Sequence, residues 1–270
     1  MDPPPVLRKA LLKNTGKGEI AVKTWKEFSF VVNGFPVRAR YTQENIEEIF
    51  KPLVRGFSEM QKAKGERLVV FLAAPPATGK STLASFLARL SQELSCTPVQ
   101  AVGLDGFHFH QDYILTHSVA LEDGRILPMR QLKGSPETYD VPHFLEKVEA
   151  LRRGDPLWPV YDRRLHDVIE DQVPVTAPIV LIEGNWLLFQ EGGWRRLAGK
   201  ADYTLFIQAE ETVLKERLLR RKMQGGLTRE EAEAFYRTGD GVNVRRTLAG
   251  SGPADFSLKM EEDGSFSICK

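Results

Sequence analysis

The chain has 270 residues, 42% of them hydrophobic and 27% charged, a composition that suits one sizeable folded core and excludes a disordered or fibrous polymer. Thirty-seven Lys and Arg residues stand against 36 Asp and Glu, for a net charge of +1. No global field therefore favours nucleic acid or an anionic membrane as partner, and any anion must be held by a local site. Two cysteines, Cys96 and Cys269, do not make a disulfide framework or a metal cluster. Met1-Asp2-Pro3-Pro4-Pro5 lacks the basic and apolar regions of a signal peptide, and no apolar run has the length of a membrane span. A cytoplasmic enzyme is expected.

The first twenty residues are basic and punctuated by Pro and Gly, and are expected to be loose. Phe28–Val32 and Val37–Tyr41 flank Asn33-Gly34, which predicts a β-hairpin because this pair accepts the positive φ of a tight turn. Thr42 follows as an N-cap for an acidic helix start at Glu44, Glu47 and Glu48. Pro52 interrupts that helix and predicts two segments. These parts form an N-terminal extension over residues 1–65, followed by a main domain over 66–270. There Leu68–Leu72 reads as a buried parallel strand and a helix runs from Lys80. Val99–Leu104 reads as a strand, Val141–Arg153 as a helix, and Ile179–Ile182 and Tyr203–Ile207 as strands. A basic helix spans about Glu210–Met223, Thr228 caps another, and Asp263-Gly264 turns a closing hairpin. Strands alternating with helices imply an α/β fold, a doubly wound parallel sheet with helices on both faces. Ligands of such sheets bind beyond the carboxyl ends of the strands.

Ala74-Pro75-Pro76-Ala77-Thr78-Gly79-Lys80-Ser81 stands between a strand and a helix. It matches the phosphate-loop pattern G-x-x-x-x-G-K-[ST], with Ala74 in place of the first glycine. Backbone N–H groups from Thr78 onward, aided by the helix dipole, suit phosphate oxygens. Lys80 suits the β- and γ-phosphates and the Ser81 hydroxyl suits Mg²⁺. Ala74 is tolerable where its φ is negative. Asp105 ends the second strand, where a carboxylate can take the proton of a substrate hydroxyl; a turn cap is the alternative. Glu183 ends the third, where an acid behind the loop can hold Mg²⁺, and Gly184 permits close approach. Arg217 and Arg221 share a helix face with Arg220 beside them. They form either a clamp on transferring phosphate or a solvated basic face.

Together these residues resemble the P-loop kinases that include uridine kinase, phosphoribulokinase and type I pantothenate kinase. Gly79-Lys80-Ser81-Thr82 matches the loop. Leu104-Asp105-Gly106-Phe107 and the stretch Lys133–Asp140 are similar to pantothenate kinase segments. Pro159-Val160-Tyr161-Asp162 with His166 resembles the uridine kinases, and Ile182-Glu183-Gly184 matches a shared strand end. Asp240-Gly241-Val242-Asn243 is similar to sugar- and nucleoside-kinase-like members whose loops also carry a Pro-Pro pair. The match runs in order from Leu68 to Thr247, and the N-terminal hairpin lies outside it.

The resemblance implies ATP and Mg²⁺, a small-molecule hydroxyl acceptor, a mobile lid near residues 215–228 and a homodimer. On this reading Ala77, Thr78, Gly79, Lys80, Ser81, Thr82, Arg220 and Asn243 bind the nucleotide, and Ser81 and Glu183 the metal. Asp105, Lys80, Arg217 and Arg221 act in catalysis, and His108, Lys133, Tyr139, Arg163 and His166 meet the acceptor. A histidine metal site is not expected, since His108 and His110 have no third ligand. No N-K-x-D or L-S-G-G-Q-like segment marks a GTPase or a transporter ATPase. Few aromatic residues line the acceptor region, which favours a sugar-like acceptor over a stacked base. A nucleoside or pantothenate kinase, or a nucleotide-binding regulator, is the alternative.

Overall fold

The computed structural model describes residues 23–32, 34–120 and 124–269. The expectations for residues 1–20 and for Asn33 concern residues outside these. β1 (Trp25–Val32) and β2 (Phe35–Thr42) form an antiparallel hairpin in the register Phe28↔Ala39 and Phe30↔Val37. The Thr42 hydroxyl accepts the Asn45 N–H at 3.1 Å. A π-helical turn (Asn45–Phe50) then runs into α1 (Lys51–Lys64), with Pro52 in the first turn of α1. That is where proline costs no helical hydrogen bond.

The central sheet has the order β4-β9-β3-β10-β11-β12. Its strands are β3 (Leu68–Ala73), β4 (Val99–Gly103), β9 (Ile179–Gly184), β10 (Tyr203–Ala209), β11 (Phe256–Met260) and β12 (Phe266–Ile268). The first five in the order are parallel, and β12 closes the edge antiparallel to β11. Two small antiparallel pairs complete the strands: β5 (Ser118–Ala120) with β6 (Ile126–Pro128), and β7 (Leu157–Asp162) with β8 (Asp167–Pro174). The helices after α1 are α2 (Lys80–Glu93), α3 (Gln111–Thr116), α4 (Val141–Ala150), α5 (Glu211–Gln224), α6 (Arg229–Phe235) and α7 (Gly241–Gly250). No helix among the described residues is long and apolar enough to cross a membrane.

Both faces of the sheet are covered, so β3 is buried at every position. Its alternation shares the side chains out. Leu68, Val70 and Leu72 join one core, and Val69, Phe71 and Ala73 join the other, as the two-residue period requires. The first core also contains Tyr41, Ile46, Phe50, Leu53 and Phe57, so residues before Leu68 share a core with the sheet. The hairpin sits on α2 through aromatic contacts: Phe28 and Tyr41 lie 4.8 and 4.6 Å from the Phe86 ring. Asn45 is buried and bonds both ways to β12, donating from Nδ2 to Phe266 O at 2.7 Å and accepting the Phe266 N–H at 2.8 Å. The α4 start is capped by Asp140, which accepts the His143 N–H at 2.9 Å. Thr228 and Glu231 cap α6 reciprocally.

Candidate active site

The phosphate loop leaves β3 and enters α2. Gly79 has φ +85° and turns the chain into the helix, a conformation open to glycine and strained for other residues. Among the described non-glycine residues only Ala77, Ser95, His166 and Asp171 have positive φ. The substituted first position, Ala74, is thus unstrained, and the left-handed non-glycine residue of the loop is Ala77 at φ 67°. The buried Thr78 hydroxyl donates to Pro75 O at 3.0 Å and ties the loop across its own width.

Glu183, at the end of β9, is 7% exposed. The Ser81 hydroxyl lies near its carboxylate, and Lys80, Asp105 and Arg163 act on it electrostatically. Burial pushes this carboxyl up. Lys80 opposes the shift, Asp105 adds to it, and the Ser81 hydroxyl and Arg163 oppose it. Two glycines make this geometry possible. A Cβ on Gly184 would come within 2.5 Å of Leu104 Cβ, and one on Gly103 within 3.3 Å of Glu183 Oε1. The set of a hydroxyl, a buried carboxylate and a second acid nearby is an oxygen-rich donor group, the type that suits Mg²⁺.

Asp105 follows β4 in a short 3₁₀ turn (Leu104–Phe107). Gly106 is required there because its Cβ would fall 2.2 Å from Pro159 O, so β7 passes directly over the turn. The Trp158 indole N–H pins this approach by donating to Gly103 O at 2.9 Å. The Tyr139 hydroxyl faces Asp105 Oδ1 at 3.4 Å, and Arg163 Nη2 lies 3.8 Å from Oδ2. Burial, then Asp105 and Glu183, raise the Tyr139 phenol well above its ordinary range. It therefore stays protonated and a donor.

Two cavities lie near this turn, one lined by Asp105 itself and the other by Tyr139, whose hydroxyl faces it. One, of about 520 Å³, is lined by Asp105, Glu183, Tyr161 and Arg163, with Gly34 and Phe35 of the hairpin at its wall. The other, of about 790 Å³, is lined by Lys133, Glu137, Tyr139, Trp194, Asn243 and Arg246. A third, of about 820 Å³, joins Thr78, Gly79 and Thr82 to Arg217, Arg220 and Arg221 of α5. Arg217 comes closest to the loop, its Nη2 3.7 Å from where a Cβ on Gly79 would stand. Its Nη1 lies 3.1 Å from Met260 Sδ. The three arginines thus meet at a cavity wall and do not form a detached basic face.

The remaining residues divide. His108 is buried and stacks on Tyr139 at 3.8 Å, with Nδ1 3.0 Å from Thr138 O. Burial lowers its pKa, so the ring is neutral and the carbonyl fixes the proton on Nδ1. It lines none of these three cavities and packs behind Tyr139. Lys133 is engaged within the protein, donating to Gln111 Oε1 at 2.8 Å and His166 O at 3.1 Å. Arg163 and His166 are exposed at the tip of the β7–β8 hairpin. Asn243 lies on α7. It does not join the phosphate loop but lines the cavity beside Glu137 and Tyr139, its Nδ2 3.6 Å from the Cβ position of Gly134. The physical reason is that α7 packs over the 133–140 loop.

The sequence reading missed the side chains that hold that loop. Trp186 donates to Gly134 O and Trp194 to Pro136 O, both at 3.1 Å. Arg246 makes a two-pronged bond to Glu137 at 2.7 and 3.0 Å. Arg246 lies one helical step after Asn243, a spacing that was available as a signal; the tryptophans offered none.

Phosphate loop, buried strand-end acid and second acid on one side of a parallel sheet are the parts of the P-loop kinases. The comparisons with known proteins agree. No family model matches the chain. It is 42% identical over 242 residues to YggC, an uncharacterised protein of Escherichia coli (strain K12), a match that covers 89% of this chain and 98% of that one. A candidate uridine kinase of Schizosaccharomyces pombe (strain 972 / ATCC 24843) is 27% identical over 179 residues, covering 64% and 74% of the two chains. Among solved structures, a candidate fructose transport system kinase from Silicibacter sp. TM1040 superposes with a TM-score of 0.64 at 28% identity, over 74% of this chain and 98% of that one. The chain belongs to the family of P-loop kinases that includes YggC, relatives of uridine kinase and pantothenate kinase.

Proposed function

We propose that this kinase transfers the γ-phosphate of ATP, with Mg²⁺, to a hydroxyl of a sugar-like small molecule in the cytoplasm. The observation that carries the reading is the buried Glu183 carboxylate, set among Ser81, Lys80 and Asp105 at the end of β9. A buried acid is costly without a cationic partner, and this one lies at the mouth of a phosphate loop. Ser81 and Glu183 would hold the metal, which when bound offsets charge on the phosphates. The N–H groups at the start of α2 and Lys80 bind and orient the phosphate chain. Asp105 orients the acceptor hydroxyl and takes its proton as the oxygen bonds to the γ-phosphorus and the bond to the departing ADP breaks. Tyr139 and Arg163 hold the Asp105 carboxylate in place. Arg217, at the loop, neutralises charge on the moving group. Positioning and electrostatics supply most of the acceleration in such transfers.

The sugar-like acceptor is supported by the charged groups beside Asp105, Glu183 and Arg163, and by the fructose named for the Silicibacter relative. A nucleoside is the second reading, supported by the name of the S. pombe relative. The test is ADP release from MgATP with a panel of sugars, nucleosides, pantothenate and glycerate, with Asp105→Asn as control. Release that depends on a sugar and is lost in the control is the expected result. Release only with nucleosides replaces the acceptor class. No stimulation by any acceptor, with ATP still bound, favours a nucleotide-binding regulator.

A further inference from the structure

The hairpin that precedes the family-like region forms a wall of the cavity that contains the phosphate loop. Val37 to Tyr41 of β2 all line the cavity shared by Gly79 and Arg217, and no residue of β1 does. Side chains of adjacent strand residues point to opposite faces, so consecutive residues line one cavity only when the strand meets it edge-on. The ladder shows which groups that edge presents. The Gln43 N–H donates to Thr24 O at 2.8 Å, just beyond the pair Trp25↔Thr42. In an antiparallel ladder bonded and non-bonded pairs alternate. Lys26↔Tyr41, Phe28↔Ala39 and Phe30↔Val37 are therefore bonded pairs, and the N–H and C=O of Arg38 and Arg40 point away from β1. The Arg40 side chain is turned onto Trp25, 4.6 Å from the ring centroid, which leaves the main chain as the recognising group there.

We propose that the edge of β2 left unpaired among the described residues, at Arg38 and Arg40, recognises the base of the nucleotide whose phosphates sit on the phosphate loop. A strand edge offers a donor and an acceptor side by side, the complement of a purine's own polar edge. The cavity, at about 820 Å³, is of the size that small-molecule ligands fill. Arg217 and Arg220 on α5 form the opposite wall, and guanidinium planes stack well on aromatic bases. The hairpin is a rigid platform for this, because Phe28 and Tyr41 fix it to Phe86 of α2, the helix that the phosphate loop begins. The proposal rests on the reading of ATP as donor.

The test uses the full chain and two probes: MgATP, and magnesium tripolyphosphate, which has the phosphates without the base. Dissociation constants are measured for the wild type, Arg38→Ala, Arg38→Pro and Lys80→Ala. Proline removes the outward N–H while leaving the bonded pairs of the ladder intact; alanine removes only the side chain. Loss of one or two hydrogen bonds should weaken MgATP binding roughly five- to thirtyfold in Arg38→Pro, with tripolyphosphate unchanged and Arg38→Ala near wild type. Lys80→Ala should weaken both probes. Wild-type MgATP affinity in Arg38→Pro, or equal loss of both probes, would overturn the proposal while leaving the phosphate site intact. Failure of the wild type to bind either probe would overturn the ATP reading and the proposal together. Amide exchange on the unmodified chain gives a second measurement that no folding defect can affect. Arg38 and Arg40 N–H groups should gain protection with MgATP and not with tripolyphosphate, and equal protection by both would contradict base recognition.

Discussion

The two ends of the site are built in opposite ways. The phosphate end comes from one contiguous stretch, Ala74 to Thr82, shaped by its own backbone, with Thr78 bonded to Pro75 and Gly79 turning into α2. The proposed acceptor end is gathered from segments around Asp105, Tyr139, Arg163 and Asn243, and is held by bonds between distant side chains and main chain. Where one peptide makes the geometry, function is concentrated in a few atoms and stability is little involved. Where distant segments are cross-linked, a single change should disturb folding and acceptor binding together.

Four outcomes would break or sharpen that contrast. Lys80→Ala should reduce turnover by about a thousandfold or more with little change in melting temperature; a large loss of stability would show that the two ends are not distinct. Asp105→Asn should lower turnover by roughly a hundredfold or more while MgATP affinity, measured by calorimetry, stays close to wild type. Arg246→Ala leaves the partly buried Glu137 carboxylate without its partner. It should cost about 2 kcal/mol in denaturant unfolding and raise the acceptor KM more than it lowers kcat. Ala77→Gly relieves a left-handed alanine but frees the unfolded chain, and should shift stability by no more than about 1 kcal/mol. A larger change in turnover than in stability would show that the loop backbone needs its present stiffness.

Titration offers a separate handle on the acceptor wall. Burial depresses the His108 pKa below its ordinary 6.5. The unfolded chain therefore binds a proton that folded His108 refuses, and stability falls as pH drops below about 6.5. His108→Asn should flatten that part of the melting-temperature profile, and an unchanged slope would assign it to other histidines. Glu183 has the opposite sign: its raised carboxyl makes the folded state hold a proton longer, so stability declines as pH rises through the range above the ordinary carboxylate value.

What the sequence revealed follows the same division. The loop, Asp105 and Glu183 were legible because each ends a strand of the parallel sheet, and hydrophobic runs locate strand ends. The alternation of Leu68 to Ala73 between two cores likewise follows from a run that is apolar at every position. The place of Asn243 beside Glu137 and Tyr139 was not legible, because a late motif carries no information about which loop its helix covers. The Trp186 and Trp194 anchors were invisible because an indole N–H can find any carbonyl. The hairpin's place beside the phosphate loop depends on Phe28 and Tyr41 meeting Phe86, a contact between segments whose spacing in the chain says nothing of their distance in space.

The reciprocal bonds of Asn45 to Phe266 make one side chain act as an extra rung on β12. An open edge strand invites pairing with another molecule, and here an amide from near the start of the described chain occupies part of the edge formed near its end. The two ends are latched: trimming the hairpin and its following turn would uncover a pairing template at the opposite terminus. A shortened chain should then fail by self-association before it fails by unfolding.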